Sequence, residues 1–346
     1  MQHKRGMIIT AIVIAITMAV PASAAVPSQS IMIPAYKYPT TWQPDAYWDT
    51  LVAAGGAKVP LVIINPDSGP GAAQNGDYQE RMRRNKAAGI QQIGYVHTLY
   101  QQRPIAEVKQ EIDDWYRLYP DVQGIFLDEI AIDSDRLCYL SQLYNYIKQR
   151  SPQQLVVINP GRHIPDAMAN YADIMVTYET NGNKYINDYV PATSTFETTE
   201  ANHGRIAHIV HDVTPGDYAQ VLALSRDRNV GWLFITDDVM PNPYDVLPTN
   251  FNQFAQDVTA LPAVQVVPRD RQPALPGCAD PHALAATTPG PAVPTPPTAP
   301  ARPTQPSTTA PSAPNTGQQQ QLASMILPLL SGTAVVAAAL WVARRK

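Results

Sequence analysis

The chain is poor in the signatures that would assign it quickly. It has only two cysteines, Cys138 and Cys278, in 346 residues, and neither is placed for nucleophilic catalysis. Outside the cell the two could pair and pin the tail to the domain, but their spacing leaves pairing open. Positive charge is scarce: 25 Lys and Arg stand against 29 Asp and Glu, a net charge of −4. That balance argues against nucleic acid as a partner. No Gly-x-Gly-x-x-Gly follows the first apolar run, and no Gly-x-Ser-x-Gly elbow occurs. The glycine-bearing loop at 65–71, NPDSGPG, is not followed by Lys-Ser or Lys-Thr. Dinucleotide-binding, elbow-serine and P-loop chemistry therefore lose support.

The two ends read as sorting signals. His3, Lys4 and Arg5 precede an apolar run over 7–20, and Pro-Ala-Ser-Ala follows at 21–24. This order is expected of a signal peptide, residues 1–24, cut after Ala24. At the other end, APNTG (313–317) precedes an uncharged run over 322–343 and a closing Arg-Arg-Lys. The run is long enough for a transmembrane helix, and the basic tail should stay cytoplasmic. Residues 313–346 resemble a sortase cell-wall sorting signal, which implies cleavage between Thr316 and Gly317; the pattern departs in having Ala313 where Leu is the norm. A plain membrane anchor is the other reading. Residues 286–314 hold 10 prolines in 29 residues, and Arg302 is their one charge. This composition cannot bury a core and is expected to be an extended spacer. The expected localisation is the cell surface, with the C-terminus engaging a sortase or the membrane.

Residues 26–261 remain for one domain, joined to the spacer by a connecting segment at 262–285. Apolar runs at 31–36, 59–66, 92–98, 124–129, 155–160, 173–179, 205–212 and 231–238 read as strands. Helical patterns at 45–54, 78–88, 105–118, 135–149, 165–170, 184–188, 215–226 and 251–259 lie between or after them. The segment 105–118 is typical: it starts after Pro104, stops before Pro120, and carries Ile105, Val108, Ile112 and Trp115 on one face. Eight strand–helix units in this length predict an α/β fold, a single (β/α)8 TIM-type barrel.

In such a barrel the C-terminal strand ends form the active face. Nearly every predicted strand ends there in a polar or aromatic residue: Tyr36 and Tyr38, Asn65, His97 and Tyr100, Asp128 and Glu129, Asn159, Glu179, His211 and Asp212, Asp237 and Asp238. The run GIFLDEI (124–130) ends an apolar strand on two adjacent carboxyls. Alternation turns Asp128 inward with Phe126 and leaves Glu129 at the rim. Close carboxyls raise each other's proton affinity, and glycoside cleavage needs one protonated and one ionised carboxyl. Asp128, Glu129 and Glu179 are therefore the expected catalytic carboxyls. Helix capping is the bland alternative for the pair, weakened because Asp133, Ser134 and Asp135 offer caps for the next helix.

Tyr36, Tyr38, Asn65, His97, Tyr100, Asn159, His211 and Asp237 are candidate substrate contacts. Tyr36, Tyr38, Trp42 and Tyr100 could equally be rim packing. His208 and His211 lie three apart on a strand and face opposite sides, so they are not expected to share a metal. No cofactor is expected.

IPAYKYP (33–39), VIINPDSGPG (62–71), DYQERMRRNKAAGIQQIGYVHTLYQQRP (77–104) and GIFLDEI (124–130), in this order, resemble the spherulin-4 family, spherulation-specific family 4. The resemblance runs over about the whole domain. It implies a (β/α)8 glycoside hydrolase; fungal members are endo-α-1,4-N-acetylgalactosaminidases acting on galactosaminogalactan. Asp128 and Glu129 match the family's adjacent acids, and Glu179 its later strand-end acid. The implied partner is an extracellular amino-sugar polysaccharide, and the chain itself is expected to be a monomer. A degenerate barrel that only binds carbohydrate is the alternative, and a polysaccharide deacetylase is disfavoured for want of a His-His-Asp metal set.

Overall fold

The computed structural model describes residues 28–259, 264 and 267–278. The expected signal peptide, proline-rich spacer and C-terminal sorting segment lie outside the described residues. Eight strands form one closed parallel barrel in sequence order: β1 (Ser30–Ala35), β2 (Leu61–Ile64), β3 (Gln91–His97), β4 (Gly124–Asp128), β5 (Leu155–Ile158), β6 (Ile174–Asn181), β7 (Ile206–His211) and β8 (Trp232–Ile235). β1 pairs with β8 to complete the ring. All eight predicted strands are present, so the fold is the (β/α)8 barrel expected from the alternation.

The helices are α1 (Ala46–Ala54), α2 (Gly76–Ala87), α3 (Ile105–Leu118), α4 (Leu137–Arg150), α5 (Gly182–Asn187), α6 (Thr195–Thr198), α7 (Tyr218–Asp227) and α8 (Phe251–Thr259). Three 3-10 turns accompany them at Ser134–Arg136, Asp166–Tyr171 and Glu200–Arg205. α3 shows how the layers lock. Its apolar face buries Val108, Ile112 and Trp115, and the Trp115 indole N–H donates to the Tyr95 carbonyl at 2.7 Å. Gly94 makes this approach possible, because a Cβ there would come within 2.4 Å of the indole.

Three expectations need correction. The segment expected as one helix over 135–149 begins as a 3-10 turn and becomes α-helical only at Leu137, and the helix expected at 165–170 is a 3-10 turn. Nor do Asp133, Ser134 and Asp135 cap anything: neither the 3-10 turn nor α4 has a side-chain cap bond. α4 is held instead by burying Leu140, Leu143, Tyr144 and Ile147. α6 and the Glu200–Arg205 turn were not expected, being too short for a 3.6-residue period to register.

Cys138 and Cys278 are bonded to each other. The bond ends a strap that starts where Ser30 Oγ donates to the Val264 carbonyl. It continues through Arg269, whose amide donates to Asp173 at 2.8 Å, and Gln272, whose amide donates to Asn145 at 2.9 Å. The strap therefore climbs α4 toward the C-terminal face of the barrel. The bond closes a loop of sequence separation 140. Cross-linking so long a loop removes much unfolded-state entropy. Cys278→Ser should lower stability by about 2–5 kcal/mol, read as a fall in the denaturant midpoint; an unchanged midpoint would mean the strap contributes nothing.

Candidate active site

The C-terminal face carries a cleft of about 640 Å³ lined by Tyr100, Asp128, Glu129, Asn159, Glu179 and His211 among others. Register brings these side chains together. His97 pairs with Asp128 between β3 and β4, and Phe126 pairs with Val157 between β4 and β5, so two residues on Asn159 lies level with Asp128. β6 requires a device. Its pairing with β7 shifts between Val176 and Tyr178. This bulge inserts one residue and reverses the alternation, turning Glu179 into the barrel mouth and Tyr178 out against Tyr185, Tyr189 and His163.

Backbone strain gathers at the same end. Among the described residues, seven non-glycine residues have positive φ. Six of them, Ser68, Leu99, Tyr100, Gln101, Glu129 and Asp212, follow β2, β3, β4 and β7 at this face. Each costs about 1–3 kcal/mol and persists only where its surroundings impose it. At Glu129, φ of 56° ends the strand, and the carboxylate accepts the Leu99 amide at 3.1 Å. His97 Nδ1 lies 3.7 Å from the same Glu129 oxygen.

The inner pair shares one amide donor, and each carboxyl has a tyrosine of its own. Asn159 Nδ2 donates to Asp128 Oδ1 at 2.9 Å and to Glu179 Oε2 at 2.6 Å. The Tyr95 hydroxyl donates to Asp128 Oδ2 at 2.7 Å, and the Tyr244 hydroxyl donates to Glu179 Oε1. Tyr36 stands between the tyrosines, its ring edge-on to Tyr95 at 5.6 Å and to Tyr244 at 5.4 Å. Burial, then the charges of Glu179 and Glu129, push the Asp128 carboxyl up to about 7 from 3.8. The site thus holds, near neutral pH, one readily protonated carboxyl beside two others. Burial pushes the Tyr36, Tyr95 and Tyr244 phenols well above their ordinary range, so all three stay neutral, and Tyr95 and Tyr244 serve as donors. Burial also lowers the proton affinity of His211, although the Glu179 carboxylate opposes this.

Of the residues expected from the sequence, Asp128, Glu129, Glu179, Tyr100, Asn159 and His211 line the cleft, Tyr36 is buried against Tyr95 and Tyr244, and His97 stands beside Glu129. Three are placed elsewhere. The Tyr38 hydroxyl donates to Asp77 at 2.9 Å on the outer rim. Asn65 is fully buried and accepts the Gly69 amide at 2.9 Å, which folds its own loop. Asp237 accepts the Thr249 amide at 2.9 Å and braces the segment after β8. His208 points away from the cleft, its Nδ1 hydrogen-bonded to the Tyr185 hydroxyl at 2.8 Å.

Sequence reasoning missed Tyr95 and Tyr244. Tyr95 was legible in principle, since it lies two residues before His97 on the inward face. Tyr244 was not, because it reaches Glu179 from the irregular segment after β8.

Fold and site together define a (β/α)8 barrel with a cluster of three carboxyls at the face where barrel enzymes carry their chemistry. Residues 30–258 match the spherulation-specific family 4, Spherulin4, and the chain belongs to that family. Spherulin-4 of Physarum polycephalum is 28% identical over 238 residues, which cover 67% of this chain and 70% of that protein. The crystal structure of Aspergillus clavatus Sph3 in complex with GalNAc is similar with a TM-score of 0.57 and 25% identity, covering 68% of this chain and 98% of that one.

Proposed function

We propose that the protein is an extracellular glycoside hydrolase that cuts within a polysaccharide containing N-acetylgalactosamine. The observation that carries this reading is the carboxyl set: Asp128, raised to about 7, is tied through Asn159 to Glu179 with Glu129 beside it. Glycoside cleavage needs a proton donor for the leaving oxygen and negative charge beneath the oxocarbenium-like centre. Asp128 is 5% exposed and both its oxygens are bonded within the barrel, so it acts on the sugar from below. Glu179, held by two donors, shares that position. Glu129 at the rim is the group placed to meet the leaving oxygen. The sugar assignment draws support from the GalNAc complex of Sph3.

The same proposal places the enzyme outside the cell, held by its C-terminus to wall or membrane. The order of leader, domain, proline-rich spacer and apolar tail supports this, as does the Cys138–Cys278 bond, which suits an oxidising compartment.

The test is incubation of the protein with galactosaminogalactan and, separately, with poly-N-acetylglucosamine, followed by mass spectrometry of released oligosaccharides. Oligomers from the first polymer alone are expected. Binding without shortening would leave a carbohydrate-binding module, and metal-dependent acetate release would indicate a deacetylase.

A further inference from the structure

We propose that Tyr95 and Tyr244 are a matched pair of positioning residues that divide one proton between Asp128 and Glu179, each hydroxyl bonding one carboxyl and opposing the other. The proposal rests on the glycosidase reading for its catalytic meaning, though not for its test. Asn159 does not discriminate, since its Nδ2 gives one hydrogen to each carboxyl. The tyrosines do discriminate: Tyr95 reaches only Asp128 and Tyr244 only Glu179. A hydrogen bond donated to a carboxylate favours its charged form. Tyr244 therefore favours the proton on Asp128, and Tyr95 favours it on Glu179.

The two phenols come from different elements, β3 and the segment after β8, and neither stands alone. Tyr36 packs edge-on against both rings, and the Tyr47 hydroxyl donates to the Tyr244 carbonyl at 3.2 Å. The positions of the hydroxyls are thus set by packing as well as by the carboxyls they serve. The other titratable groups facing the pair are Glu129 from β4, Tyr36 after β1, Tyr100 after β3 and His211 from β7, with His97 beside Glu129 and with Asp212 and Lys184 beside His211. Of these only Glu129 also bonds one member alone, through a backbone bond to Asp128 that favours its charged form, and replacing either tyrosine by Phe leaves that bond in place. The catalytic consequence is that the place of one proton, on either side of one amide, is set by the balance of the two phenols.

The test is a carbon-13 titration of Asp and Glu side-chain carboxyls in the full-length protein, with signals assigned from Asp128→Asn and Glu179→Gln. Tyr244→Phe keeps the ring contacts and should move proton occupancy from Asp128 to Glu179, shifting the Glu179 titration upward by about one pH unit. Tyr95→Phe should move occupancy the opposite way, and the double variant should fall between. Fluorotyrosine introduced at position 244, a stronger donor with the same ring, should reverse the Tyr244→Phe shift even if a Phe variant folds poorly. Loosened packing alone would move both carboxyls together. Shifts of one sign in both single variants, or none in either, would overturn the proposal. The readout needs no substrate. A failure to cleave polymer would remove the glycosidase reading and leave the titration decisive, whereas cleavage with a symmetric titration would remove only the proton-dividing pair.

Discussion

Asp128→Asn is expected to slow polymer cleavage by orders of magnitude and, at pH 8, to make the protein more stable than the wild type. The two effects share a cause. The Asp128 carboxyl titrates at about 7 in the fold against 3.8 when free, so ionising it inside the barrel costs about 4 kcal/mol. The sign follows from linkage: a group whose folded proton affinity is raised contributes fully below its unfolded value, and the contribution is lost as pH rises through its folded value. The wild type should therefore lose stability between about pH 4 and pH 7, and the amide, which cannot ionise, should not. The amide also fits, because its oxygen can accept from Asn159 while its nitrogen donates to the Tyr95 oxygen. The gain should approach about 4 kcal/mol above pH 7 and vanish below pH 4. Turnover should fall by about 10²–10³-fold, the range for removing one group that stabilises charge developing in the transition state. Thermal melts at pH 4, 6 and 8, run beside oligosaccharide release, check both. A variant no more stable than wild type at pH 8 would mean Asp128 is not strained by ionisation, and one that still cleaves would mean the chemistry lies elsewhere.

How far the sequence revealed this site depended on whether a residue's position was set by local alternation. Asp128 follows Phe126 by two residues on an unbroken strand, so its inward direction could be read directly. Asn159 and His211 were legible for the same reason. Glu179 was chosen as a strand-end acid, but strict alternation from Val176 would have turned Tyr178 inward and Glu179 outward; only the bulge, invisible to a period of two, brings it into the cleft. Asp237 and Asn65 also end strands, yet the bonds that their carboxylate and amide oxygens accept fold their own loops. Chemistry-bearing residue type and strand-end position are thus shared by working and bracing residues, and what separates them is tertiary. Tyr244 is the converse case. Nothing local marks it, since its role depends on a loop path that returns its hydroxyl to Glu179 from 65 positions away.

The largest loss of stability should come from a site remote from the cleft. Lys148 and Asp173 form a fully buried ion pair at 2.7 Å, both side chains 0% exposed. Lys148 also donates to the Pro152 carbonyl at 3.1 Å. The Asp173 carboxylate accepts the Val156 amide at the start of β5 and the Arg269 amide of the strap, each at 2.8 Å. One carboxylate thus ties α4, β5 and the strap together. Removing it by Asp173→Ala strands an ammonium in the interior and frees two buried amides. Breaking a buried pair from one side costs about 3–5 kcal/mol, enough to unfold a marginal domain at physiological temperature. Lys148→Met is the informative partner. It leaves Asp173 its two backbone donors and fills the lysine's volume with an apolar chain, so its cost should be clearly smaller. Denaturant unfolding of both variants decides the point. Equal losses would show that the carboxylate's backbone bonds matter little beside the ion pair, and a larger loss for Lys148→Met would show that the lysine, not the aspartate, is the anchor of this corner of the barrel.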